Sequence, residues 1–353
     1  MTTRKADADH SNSVAGHSTS VTGHSNPVAG HSTPVAGHST SVAGHPQETP
    51  PTPLTPYAHL PRRYHDRHIA HSTVDAFGSA HWLLAAREPK PGRGALRPYD
   101  ALVVTVDAEG RNHTTELSAL RARFPRIDAL PDGGFVVADA RSRRSEQHVQ
   151  VYDALGRESW TFRVGDAIEQ FLVDPAGRLW VGHFDEGVFG DDELSGPGLR
   201  CWSAEGEPLW AYEAVEGAGE IYDCYALNVS GDGVWACAYD DFALLEIDPD
   251  RMDGTDGTHG SDRTVRPRLN SVAGAHALAV WAGRAMFVGG YGDDRDRLVD
   301  AVVTHDRVRP VSTGRLVRPD GTPLGRRRTV SRGRRVYVQE EPHSAWAVLD
   351  IGV

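Results

Sequence analysis

No Phe, Trp or Tyr stands before Tyr57, although the chain holds nine, eight and ten of them. The same stretch offers one Val in each seven residues and, apart from Met1 and Leu54, no other large apolar group. Such a segment buries too little surface to offset the entropy of ordering it. Residues 1–56 are therefore expected to be a disordered tail. It is built from a heptad that begins His10-Ser-Asn-Ser-Val-Ala-Gly16 and returns at His17, His24, His31 and His38. It ends in the Pro-rich Thr49–Pro56. One Val and one Gly per seven residues exclude a coiled coil. The evenly spaced His10 to His45 offer weak Zn or Ni ligands. A repeat expanded without a ligand role is the favoured reading of them.

Other scarcities narrow the class. Three cysteines, Cys201, Cys224 and Cys237, have no metal-ligand spacing and are expected to be free, buried thiols. No apolar run is long enough to cross a bilayer. Met1-Thr-Thr-Arg-Lys-Ala-Asp7 is polar and leads into no apolar core, so no secretory signal is expected and the cytoplasm is the expected compartment. Lysine is almost absent among the 37 basic residues. The preference for Arg, with abundant Ala and Gly, points to a GC-rich genome of actinobacterial type. His-Glu-x-x-His, Gly-x-Ser-x-Gly, phosphate-loop and Cys-x-x-Cys motifs are all missing.

What is present is repetition. Ile168–Glu213 reads as four short runs rich in branched and aromatic residues, joined by Asp-Pro-Ala-Gly177, a Gly/Asp-rich loop and Ser-Ala-Glu-Gly206. That chemistry favours antiparallel strands with tight turns. An aromatic returns near the start of each second strand, at Trp82, Phe135, Trp180, Trp235, Phe287 and Tyr337. The turns return in phase, as Asp107-Ala-Glu-Gly110 and Asp153-Ala-Leu-Gly156. A recurring four-strand meander predicts an all-β, six-bladed β-propeller over residues 57–353.

Asp174-Pro-Ala-Gly-Arg-Leu-Trp-Val-Gly182 resembles the repeat of the sensor-type propellers of bacterial two-component regulators. Tyr152–Trp160 and Trp202–Trp210 resemble the strand–turn–strand unit of pyrroloquinoline-quinone-type propeller repeats. Both resemblances cover about two blades. They imply a fold and no activity.

The first blade is expected to have strands at Thr73–Phe77, His81–Ala86, Ala101–Val106 and Thr114–Leu117. The others follow at about 125–164, 168–213, 221–268, 275–317 and from 326 onwards. The last stops at its third strand, Ala345–Leu349. An N-terminal strand from Arg62–Ala70 is expected to complete it, because an open edge invites aggregation.

With no catalytic motif, function rests on position. Innermost strands begin at Arg126, Glu169, Tyr222-Asp223 and His276. Loops between second and third strands bring His183, Asp185, Asp240 and Glu340 to the same rim. Residues 165–250 hold twenty acidic and two basic residues, so the rim is expected to be acidic. Glu169, Asp223 and His276 are the best ligands for a divalent cation, or the best general bases. For any one of them, a strand turning polar where it meets water is the blander reading. The Gly/Asp-rich Asp253–Asp262 lacks the ligand pattern of a calcium loop and reads as a turn. Residues 295–335 hold twelve Arg against four Asp. Without interleaved aromatics this basic segment reads as a solvated outer hairpin rather than a nucleic-acid surface.

The leading expectation is a monomeric, non-enzymatic scaffold binding a protein or small cationic ligand on the acidic rim, with no nucleic-acid or membrane partner. The alternative is a divalent-metal-dependent hydrolase resembling the gluconolactonase-type propellers. The match to that type is partial, since no blade supplies a well-placed Asn.

Overall fold

The computed structural model describes residues 46–89, 97–142, 146–239, 241–252 and 264–352. The histidine heptads and the Asp253–Asp262 turn lie outside the described residues. The described chain is nearly all-β, and its strands form five sheets. Three short strands come first: β1 (Gln47–Glu48), β2 (Thr52–Pro53) and β3 (Thr55–His59). Antiparallel quartets follow. The first is β4 (His68–Val74), β5 (Ala80–Ala85), β6 (Tyr99–Val106) and β7 (Asn112–Leu120). The second is β8 (Pro125–Ala129), β9 (Phe135–Asp139), β10 (Val149–Tyr152) and β11 (Glu158–Phe162). The third is β12 (Ile168–Val173), β13 (Leu179–His183), β14 (Leu199–Trp202) and β15 (Pro208–Ala211). Next come β16 (Asp223–Ser230), β17 (Gly233–Tyr239), β18 (Leu244–Ile247) and β19 (Val265–Arg268). Then β20 (Ala277–Trp281), β21 (Arg284–Val288), β22 (Arg297–Val303) and β23 (Val308–Val317). Last are β24 (Arg327–Arg332), β25 (Arg335–Glu340) and β26 (Ala345–Asp350).

The turns explain the quartets. At Asp75, Asp107, Asp153 and Asp174, Oδ1 accepts the backbone N–H groups two and four residues on, at 2.8–3.1 Å. Ser203 does the same with its hydroxyl. The fourth residue of the turn sits at positive φ, for example 88° at Gly177 and 75° at Gly156, where only glycine is unstrained. The predicted second-strand aromatics fall on β5, β9, β13, β17, β21 and β25. Trp82, Trp180 and Phe287 are fully buried.

β26 finds a different partner from the one expected. β26 pairs with β3, joining Ala345 to His59 and Val348 to Thr55, and not with Arg62–Ala70. Arg62–Tyr64 is a single helical turn, and Ala70 already belongs to β4. Residues 46–56, assigned above to the tail, are also engaged. β1 and β2 pair in parallel with β23, and Leu54 is buried. Their Pro and Thr content obscured this, since prolines are tolerated where no ladder N–H is needed.

Six apolar cores lie between neighbouring quartets. One of them joins Ala58, Leu60, Tyr337 and Trp346 from the end and start of the chain to Trp82, Leu84 and Val104 of the first quartet. The last quartet, β24, β25, β26 and β3, also meets β16 by one parallel bridge, Asn228 to Ser331.

At the C-terminal ends of the first strands lies a polar hub. Arg332 is 7% exposed. It donates to the Val74 carbonyl at 3.0 Å, to the Val173 carbonyl at 2.8 Å and to the Asp128 carboxylate. Asp128 also accepts the Val173 N–H at 2.6 Å. Burial pushes the Asp128 carboxyl up, and the Arg332 charge and this N–H pull against it. Asn228 donates to the Leu278 and Gly333 carbonyls and accepts the Gly333 N–H, each at 2.7 Å. First strands or their flanking turns from every quartet meet here.

A chain beginning at Pro46 should melt as the full chain does. One beginning at Pro61 loses β3 and the burial of Leu54, Ala58 and Leu60, and should be less stable by about 3–6 kcal/mol in urea unfolding. Equal stability of the two would show that β3 does not hold the last quartet.

Candidate functional site

A cavity of about 950 Å³ opens at the N-terminal halves of the first strands, the end opposite the hub. His71 of β4, Arg126 of β8, Glu169 of β12, Tyr225 of β16, His276 before β20 and Arg328 of β24 all line it. The repeat makes this convergence: equivalent points on successive quartets supply one residue each.

One wall is aromatic. The Tyr225 ring stacks 5.8 Å from Tyr239 and lies 5.5 Å from the His276 ring. Phe242 and Tyr291 pack on it at 6.0 and 6.4 Å. Burial and the hydrogen bond with Tyr291 push the Tyr225 phenol up, so it stays protonated. Burial, then Arg327 and Arg295, hold the His276 imidazole below its usual value. His276 is therefore neutral at pH 7.

Beside Glu169 is an acidic edge. Burial first, then the Glu169 and Asp185 charges, push the Asp223 carboxyl up to about 7. Asp185 opens the short helix Asp185–Val188 and is exposed. Tyr222 stacks on Phe189 at 5.3 Å next to it.

The cavity itself is not the uniformly acidic mouth expected from sequence. Five arginines line it, against the carboxylates of Glu169, Asp293 and Asp296. The basic segment read as a solvated hairpin supplies most of them, with Arg326, Arg327 and Arg328 opening β24. Arg327 is paired with Asp296 at 2.6 Å.

Of the residues anticipated, Arg126, Glu169 and His276 meet at the cavity, and Asp223, Asp185 and Tyr222 flank it. Two others do not take part. His183 is fully buried, its Nδ1 lies 2.7 Å from the Asp166 carbonyl, and burial pushes its imidazole down to about 4. Glu340 is held by Arg318 through two contacts of 2.8 Å and by the Gly325 N–H. Burial pushes its carboxyl up, but these partners prevail and keep it below its usual value. Asp240 lies outside the described residues. Among the described residues no group of three or more His, Cys, Asp or Glu is arranged to hold a metal ion. Glu169, Asp223 and His276 are thus not gathered as a ligand set. His276 packs on the Tyr225 ring, where Arg295 and Arg327 act on it. His71, Tyr225 and Arg328 were missed. The first strand of the first quartet is expected from sequence to begin at Thr73 and that of the last at 326, whereas they are His68–Val74 and Arg327–Arg332, so strand starts alone do not mark His71 or Arg328.

No protein-family model and no curated protein matches the chain. Solved structures do. Apo AztD from Citrobacter koseri is 13% identical, with a TM-score of 0.42 over 79% of this chain and 82% of that one. The Cps50 (Swd1) β-propeller domain of Myceliophteria thermophila is 11% identical, with a TM-score of 0.44 over 85% and 98%. A putative 6-phosphogluconolactonase from Bacteroides fragilis is 13% identical, with a TM-score of 0.43 over 80% of each chain. No described helix is long and apolar enough to cross a membrane.

The raised Asp223 pKa has a pH signature. The folded state keeps this proton up to about pH 7, whereas the unfolded chain releases it near the ordinary value of 3.8. The unfolded state therefore binds fewer protons in that window, and stability falls as pH rises through it. Asp223→Asn should melt higher than the parent at pH 8, with the gain shrinking to nothing below about pH 4. A pH-independent difference would show that Asp223 titrates normally.

Proposed function

We propose that the chain is a six-bladed β-propeller that binds a small polar molecule in its central cavity, acting as a binding scaffold rather than an enzyme. The blade count and closure are supported by the six inter-quartet cores, one of which joins the last quartet to the first. Pairing of β3 with β26 supplies the outer strand of the last blade. A reducing, cytoplasmic location fits the three buried free thiols.

The cavity carries the reading. Ligand sites are concave, with apolar or aromatic surface and a few convergent polar groups. Here the Tyr225 and His276 rings form the flat surface, and Arg126, Arg328, His71 and Glu169 supply hydrogen-bonding groups. Glu169 and the adjacent Asp223 and Asp185 would face a positive end of the ligand. A ligand bearing both signs suits this wall better than the purely cationic one expected from sequence.

The second reading is a divalent-metal-dependent hydrolase using Glu169 and Asp223. What favours it is the Asp223 carboxyl, whose pKa near 7 suits a general base. Thermal-shift screening separates the two. A panel of polar metabolites together with calcium, magnesium, manganese and zinc should yield at least one organic ligand that stabilises the parent and fails to stabilise Tyr225→Ala. Stabilisation by a metal ion alone, lost in Asp223→Ala, would favour the hydrolase. No hit of either kind would remove the cavity as a ligand site.

A further inference from the structure

Resting on the cavity reading above, we infer that Arg126, Arg328 and the His71 imidazole form an oxyanion subsite, which takes a carboxylate or phosphate group of the ligand. The observation behind it is unsatisfied donors. Many arginines of the described chain pair with a carboxylate, as at Arg335–Asp350 and Arg318–Glu340, both 2.8 Å. Arg126 and Arg328 line the cavity, and no described residue hydrogen-bonds or ion-pairs with either guanidinium. The Arg328 Nη1 is inaccessible to solvent and has no partner. A buried donor without an acceptor is costly, and a buried charge without a counter-charge more so.

The two guanidiniums also act on each other. Burial, and then the Arg126 charge, push the Arg328 guanidinium down to about 10. Burial lowers Arg126 as well, and the charges of Glu169 and Asp139 oppose it. His71 stands where both are felt. Burial, then Arg126 and Arg328, hold its imidazole well below the usual value, so it is neutral. Its Nδ1 accepts the Ile127 backbone N–H at 3.4 Å. The hydrogen therefore sits on Nε2, which has no partner among the described residues and is free to donate. Three donor groups share one end of the cavity, and no carboxylate among the described residues hydrogen-bonds or ion-pairs with either guanidinium. An oxyanion satisfies all of them, and the planar guanidinium fork fits carboxylate and phosphate alike. Hydration alone would satisfy the hydrogen bonds but leave both guanidiniums without an ion-pair partner.

The test titrates inorganic phosphate and, separately, succinate into the full chain by calorimetry in low-chloride buffer. One or both should bind, and the arm that binds identifies the group. Arg126→Gln and Arg328→Gln should each weaken binding at least about tenfold, the loss of one charge-assisted hydrogen-bonded contact. Arg309→Gln, an exposed arginine on β23, makes the same change in net charge and should leave binding unchanged. Without ligand, Arg328→Gln should melt about 2 °C or more above the parent, because it removes an unpaired charge. Failure of both anions to bind the parent would overturn the subsite, as would equal weakening by Arg309→Gln. An Arg328→Gln variant that melts below the parent would also overturn it, marking that arginine as structural. The two readings fail separately. An organic ligand that depends on Tyr225, with no anion binding, leaves the cavity reading standing alone. Anion binding that requires Arg126 and Arg328, with no ligand depending on Tyr225, leaves the subsite alone.

Discussion

One buried guanidinium ties the ends of four first strands. Arg332, from the end of β24, reaches β4 through Val74, β8 through Asp128 and β12 through Val173. A single Arg does this because its five N–H groups lie in a fixed plane and no other side chain offers as many directed donors. Its partners are two backbone carbonyls and a buried carboxylate, so the hub supplies donors to three acceptors at once. Asn228 performs the equivalent task on the other side, joining β16 to β20 and to the turn after β24. The apolar cores between quartets are local, each shared by two neighbours. The hub is what relates quartets that do not touch.

Its position decides where chemistry is open. With the C-terminal ends of the first strands filled by satisfied polar groups, the N-terminal ends are left to line a cavity. The contrast among arginines follows. Arg332 has a partner for each of its three nitrogens, while Arg126 and Arg328, near the other end of the first strands, have none among the described residues. The same residue type thus serves structure at one end and is left available at the other.

Much of this was legible in sequence. The second-strand aromatics and the Asp-x-x-Gly turns encode local geometry, and local geometry is what short patterns record. Each marker landed on the strand or turn expected of it. Arg126, Glu169 and His276 line one cavity because strand starts converge in a repeated meander. The errors share another cause. β1 to β3 pair with strands more than 250 residues away, at Val308–Val317 and Ala345–Asp350, and their own composition is that of a linker. The run Arg326–Arg328 looks like a solvated charge cluster, and only tertiary placement half-buries Arg327 and Arg328 beside the cavity. Arg332 carries no sequence mark that separates it from Arg334 or Arg335, which pair with Asp350. His183 shows the reverse: a polar residue at a strand end can be buried by the loop that follows it.

The hub is most directly tested by a double-mutant cycle on Arg332 and Asp128, read by urea unfolding. Arg332→Met leaves a buried carboxylate unpaired and Asp128→Asn a buried guanidinium, so each should cost about 3–5 kcal/mol. The double variant removes both charges together and should cost clearly less than the two losses combined, by about 1–3 kcal/mol. Strictly additive losses, or single variants as stable as the parent, would contradict the claim that this pair holds the first strands together.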